Sequence, residues 1–122
     1  MAKAYKNFWS LNTDEAIVTG ILKDSIGKKR CEILMPLNAQ MKDVDLVLMN
    51  VETRKTLTVQ VKGSRAYEPK NSEVAKYGDG STGWFFLKND TIDKATSDYF
   101  IFLTYVICQI PSNGRRVLEP HI

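Results

Sequence analysis

Histidine and cysteine are scarce in this sequence, and their scarcity closes off several chemistries. The one histidine, His121, has no carboxylate or cysteine beside it and takes no assigned role. The two cysteines, Cys31 and Cys108, lie far apart and form no Cys-x-x-Cys or Cys/His spacing. That argues against a structural zinc site or a disulfide framework and fits a reduced, cytoplasmic setting. No apolar run approaches the roughly 20 residues of a membrane span, and the N-terminal MAKAYKNFWS lacks the apolar core of a signal peptide, so no membrane partner is expected. Serine-nucleophile, Walker and dinucleotide-loop patterns are absent, as are internal repeats and low-complexity segments.

The remaining composition is that of a globular protein. With 122 residues, 43% hydrophobic and 25% charged, the chain suits a single domain over 1–122 with a true apolar core. A net charge of +3 and a pI near 8.9 permit a polyanionic partner without demanding one.

The most informative stretch is 43–65, DVDLVLMNVETRKTLTVQVKGSR. Successive strand side chains point to opposite faces, so Val44, Leu46 and Leu48 share one face of a first strand, and Leu57, Val59 and Val61 share one face of a second. If both triplets cover one core, antiparallel pairing sets Val44 beside Val61, Leu46 beside Val59 and Leu48 beside Leu57. Asp45 then stands across from Gln60, with Lys62 within diagonal reach. A slip of one residue would send either the apolar triplets or the polar trio to the wrong side.

The rest of the chain arranges itself around this hairpin. Residues 1–11 form a partly docked arm. Asn12 and Glu15 have capping-box spacing, Ile17, Val18, Ile21, Leu22 and Ile26 follow helical periodicity, and Gly27 stops the helix, which predicts a helix over 13–26. Lys28, Lys29 and Arg30 follow as a solvated basic cap. A strand is expected over Cys31–Leu37, which Pro36 places at a sheet edge or at its termination, and a loop over 38–42. Residues 63–83, rich in glycine and charge, are expected to form a long mobile loop. Its Arg65, Lys70 and Lys76 are candidate phosphate contacts, diluted by Glu68, Glu73 and Asp79. Trp84–Leu87 reads as a buried strand, Asn89–Ser97 as a turn and polar segment, Tyr99–Ile107 as a central strand and Arg116–Glu119 as a short last strand. The order suits an α/β or α+β sheet with a helix packed on it, and a chain ending soon after its last strand suggests that a C-terminal helix is lacking.

An aspartate followed, across a hairpin, by a polar residue, one apolar residue and a lysine is what divalent-metal phosphodiester cleavage requires. Asp45 can serve as a direct ligand and Gln60 can offer its side-chain carbonyl, since Mg²⁺ takes one or two carboxylates plus water and substrate oxygens. Lys62 can position or deprotonate the attacking water and offset charge on the phosphate, and Glu15 can aim at the strand ends from the first turn of its helix. Each residue also has a plain alternative. Glu15 alone is more often a capping residue, Asp45 and Lys62 an ordinary cross-strand ion pair, and Gln60 a solvent-facing strand residue.

The combination resembles the PD-(D/E)xK, restriction-endonuclease-like nuclease superfamily, in the variant where the second acidic position is glutamine and the motif reads QVK followed by a small residue and Ser. Asp14–Leu22 resembles the opening helix that carries the family's glutamate, Leu34–Asn38 the strand and loop leading to the aspartate, and Trp84–Leu87 and Asp98–Leu103 the closing strands. The resemblance covers about residues 12–106. It implies a mixed central sheet of about five strands flanked by an N-terminal helix. The site it implies is Glu15, Asp45, Gln60 and Lys62, with Mg²⁺ or Mn²⁺ bound through Asp45, Gln60 and the Val61 backbone carbonyl, and with DNA as substrate. Val44 stands where the family often has proline, and Gln60 where it usually has an acid, which removes one negative charge from the metal site. The alternative is a catalytically silent domain of this fold that binds nucleic acid or a protein partner, a second copy included. A small structural subunit with neither activity is a third.

Overall fold

The computed structural model describes residues 13–27, 30–36, 43–78, 80 and 83–122. The arm at 1–11, Asn12 of the expected capping box, Lys28 and Lys29, Leu37, the loop at 38–42 and Asp79 lie outside the described residues. The elements are α1 (Thr13–Ile26), β1 (Cys31–Leu34), β2 (Leu46–Asn50), β3 (Thr56–Gly63), α2 (Asn71–Tyr77), α3 (Asn89–Asp93), β4 (Tyr99–Gln109) and β5 (Arg116–His121). The five strands follow the order β1-β2-β3-β4-β5, with β1–β2, β2–β3 and β4–β5 antiparallel. Between β3 and β4 the hydrogen bonds Asp98 N–H to Thr58 O and Ser64 N–H to Leu103 O join residues that advance together, as in a parallel pair. The fold is therefore α/β, a five-strand mixed sheet with an N-terminal helix. The chain divides into two compact units, residues 1–61 with 87–101 and residues 62–86 with 102–122.

In the first unit, α1 keeps the expected bounds. Asp14 and Glu15 occupy its first turn, where the helix dipole favours negative charge. Gly27 ends it at φ 61, a left-handed conformation that glycine adopts without steric cost, and its N–H donates to Lys23 O at 2.9 Å. Lys23 Nζ reaches Glu32 of β1 at 3.1 Å. Val18, Val44, Leu46 and Val59 form the buried core of this unit. The β2–β3 register pairs Leu46 with Val59 and Leu48 with Leu57, as the alternation requires. Asn50 organises the intervening turn, its Oδ1 accepting from the N–H groups of Glu52 (3.0 Å) and Thr53 (3.1 Å), and Arg54 takes a positive φ of 59°. At the start of β4, Asp98 Oδ2 accepts from Thr58 N–H (2.8 Å) and Thr58 Oγ1 (3.1 Å), so one carboxylate fixes the middle of β3.

The second unit holds two departures from expectation. Residues 63–83 are not one long loop, because they contain α2. Glu73 Oε2 accepts from Lys70 N–H at 2.7 Å, satisfying a donor at the helix start, and Gly78 at φ 84 ends the helix. Pro69 and the Lys70–Glu73 spacing are the sequence features that allow this. Trp84–Leu87 is not a buried strand either. Trp84 is 62% and Phe86 96% exposed, and the segment carries no strand ladder. It is held instead by Ser64, whose Oγ accepts from Trp84 N–H at 2.7 Å, and by Phe85, whose ring meets Phe102 edge-on at 4.9 Å. Leu103 is fully buried and Ser64 nearly so. Gly83 makes this approach possible, since a Cβ there would lie 2.9 Å from Thr104 Cγ2 and 3.2 Å from Ser64 Oγ.

Candidate active site

The site begins where the β2–β3 ladder stops. Extending the register would pair Asp45 with Gln60 and Val44 with Val61, but β2 starts only at Leu46. The chain enters from Asp43 at φ 62, a left-handed residue that turns the backbone away from an extended approach. Asp45 N–H donates to Val59 O at 2.9 Å, and Asp45 Oδ2 accepts from Val61 N–H at 2.7 Å. A carboxylate thus takes the place of a backbone carbonyl at the end of the ladder. The expected cross-strand pair becomes a side-chain grip on β3 to either side of Gln60.

Glu15 arrives from α1. Three residues before buried Val18, it lies on the helix face turned to the core, because positions i and i+3 share a face. Its carboxyl is pushed from the ordinary 4.5 up to about 7, first by burial, then by the charge of Asp45 and a side-chain hydrogen bond with it, and last by the charge of Asp14. Below about pH 7 the Glu15 carboxyl is therefore mainly protonated beside Asp45, and it loses that proton as pH rises through neutrality. Glu15 is more than a helix-capping residue: it is one half of a carboxyl–carboxylate pair.

Gln60 supplies the remaining signal. Its Oε1 is buried and meets no hydrogen-bond donor among the described residues. An unsatisfied buried acceptor costs about 1–3 kcal/mol and calls for an ion, a water or a functional cause.

The donor set fits a hard divalent cation. Glu15, Asp45 and Gln60 Oε1 are all oxygen donors, and two carboxylates match what Mg²⁺ takes from protein. The lone Oε1 is the atom that a cation would satisfy. Among the described residues no group of three or more His, Cys, Asp or Glu side chains is placed to hold a metal.

The structure therefore brings together Glu15, Asp45 and the Val61 backbone, with Gln60 standing on β3 between the two residues that Asp45 holds. Lys62, next along β3, belongs to the second unit and is half-buried, and Arg65, Lys70 and Lys76 are exposed residues of that same unit. Of the acids expected to dilute their field, Glu68 pairs with Arg116 and Glu73 is engaged at the start of α2. Lys76 Nζ lies 4.9 Å from the centre of the Tyr77 ring. Two supporting residues take no role from the sequence alone. Asp98, which fixes β3 through Thr58, was marked only by an acid standing just before the most apolar run, and Ser64 only by its place after Lys62-Gly63. No helix among the described residues is long and apolar enough to cross a membrane. No family model, curated protein or solved structure matches this chain.

Proposed function

We propose that this chain is a restriction-endonuclease-like domain of the PD-(D/E)xK kind that hydrolyses DNA phosphodiester bonds with Mg²⁺ or Mn²⁺. The observation that carries the proposal is the Glu15–Asp45 contact at the end of the β2–β3 hairpin, where Asp45 holds β3 to either side of Gln60 and the Gln60 Oε1 is buried and unpartnered. Titratable groups with shifted proton affinity tend to cluster at functional sites.

The residues take distinct roles. Asp45, with one oxygen anchored on Val61 N–H, presents a fixed carboxylate, and its geometry does not depend on a flexible side chain finding its place. Glu15, with a proton affinity near neutrality, can take up or release a proton beside Asp45 at working pH. Gln60 contributes an acceptor without adding charge. A bound divalent cation would supply the positive charge that stabilises the phosphate and acidifies a water. Lys62 would offset charge developing on the phosphate, a role that rests on the sequence pattern QVK.

A second reading, a silent domain of the same fold, is favoured by one feature: glutamine in place of the third acid leaves the cluster with two carboxylates. Incubation with plasmid and linear DNA in Mg²⁺ or Mn²⁺ separates the two. Metal-dependent strand breaks lost in both Asp45→Ala and Lys62→Ala are expected. Breaks that persist in both variants, or salt-dependent DNA binding without any breaks, would overturn the nuclease reading.

A further inference from the structure

β5 lies at one end of the strand order, with no strand beyond it among the described residues. Its successive residues Val117 and Leu118 point to opposite faces, yet they are 42% and 60% exposed. The direction of its backbone groups follows from the hairpin. Ile110 N–H donates to Arg115 O at 2.8 Å, so residues 110 and 115 turn their hydrogen-bonding groups toward each other. Antiparallel pairs alternate in this respect. With Gln109 opposite Arg116 and Cys108 opposite Val117, the groups of Val117 and Glu119 face β4, and those of Arg116 and Leu118 face outward. Pro120 falls in the outward set, where its missing N–H costs no bond to β4.

Exposed edges are usually blunted by charge, but here the charges are placed to attract a copy of themselves. Arg115, which precedes β5 and continues its pairing through the bond from Ile110 N–H, lies two residues before Val117, and Glu119 lies two residues after it, so alternation puts the three on one face. Glu119 is oriented on that face by Cys108 Sγ, which donates to its Oε2 at 3.3 Å, with His121 Nε2 at 3.9 Å. Arg116, on the opposite face, is already paired with Glu68.

We propose that β5 pairs antiparallel with β5 of a second copy, about a twofold axis through Val117. Outward-facing groups must meet outward-facing groups, so Arg116 bonds the partner's Leu118, and Leu118 bonds the partner's Arg116. Val117 then lies opposite the partner's Val117, and Arg115 opposite the partner's Glu119, twice by symmetry. A twofold through Leu118 would instead set Arg116 against the partner's Pro120, losing a donor, and Val117 against the partner's Glu119, losing both ion pairs.

Sedimentation equilibrium of the full chain tests the association, and variants test its register. A concentration-dependent dimer is expected. Arg115→Glu or Glu119→Arg alone replaces two attractive cross-strand pairs by two repulsive ones and should weaken association roughly tenfold. The two changes combined should restore it. In a Cys31→Ser/Cys108→Ser background, Val117→Cys should form an intermolecular disulfide on mild oxidation, because that pair is of the close, non-hydrogen-bonded type at about 4.5 Å between Cα atoms, whereas Leu118→Cys should not. A monomer at every concentration, a dimer indifferent to either single charge reversal, failure of the double variant to restore association, or preferential cross-linking at position 118 would each overturn the proposal.

Discussion

Glu15→Gln provides a test of the carboxyl pair that does not depend on any activity. The folded protein holds the Glu15 proton up to about pH 7, whereas an ordinary glutamate releases it near 4.5. Between those values the folded state binds more protons than the unfolded state, so stability falls as pH rises, and above about 7 the folded chain carries an ionised Glu15 against Asp45. Taken whole, the interval is worth about 3 kcal/mol at roughly 1.4 kcal/mol per pH unit. The carboxyl is only partly buried, and solvent screening reduces the effect to about 1–2 kcal/mol. Glutamine keeps the neutral, hydrogen-bonding shape and never ionises. Guanidinium unfolding in EDTA should therefore show the variant more stable than the parent by about 1–2 kcal/mol at pH 8.5, and by under about 0.5 kcal/mol at pH 5. A variant less stable than the parent at pH 8.5, or a difference independent of pH, would refute the raised proton affinity of Glu15 beside Asp45.

Other expectations address single contacts. Gln60→Met removes the unpartnered acceptor at similar volume, so metal-free stability should hold or rise by about 1 kcal/mol, while the gain in melting temperature from Mn²⁺ disappears. Ser64→Ala strands the Trp84 N–H and should cost about 1–2 kcal/mol in urea unfolding. Gly83→Ala drives a Cβ to 2.9 Å from the stiff Thr104 side chain, and should cost about 1–3 kcal/mol in the same assay. Asp98→Ala releases Thr58 N–H, and amide exchange at Thr58 should accelerate well beyond that at Leu46, deep in the core.

The parts of the fold legible in the sequence are those governed by periodicity. The α1 bounds followed from apolar spacing and Gly27, and the β2–β3 register from two apolar triplets that had only one way to share a core. The parts that were not legible depend on single side chains replacing backbone partners. Asp45 stops β2 by taking the Val61 N–H, which alternation alone cannot foresee. In 63–83, glycine and charge masked α2, whose start depends on the reach of Glu73 back to Lys70. Trp84-Phe85-Phe86-Leu87 has strand composition, but composition measures fit to a half-buried pleated surface, and here only Phe85 and Leu87 find partial cover. For the site, the sequence pattern named Glu15, Asp45 and Gln60. The raised proton affinity of Glu15 beside Asp45 and the unpartnered amide oxygen emerge only once helix and hairpin are placed together in space.

Calorimetric titration of Mn²⁺ into the protein at pH 7, in two buffers of different ionisation enthalpy, tests the metal centre most directly. A single site is expected that releases about half a proton on binding, as the cation displaces what Glu15 still holds at that pH, and that is lost in Asp45→Asn. No heat of binding at millimolar Mn²⁺, or the same binding in Asp45→Asn, would contradict it.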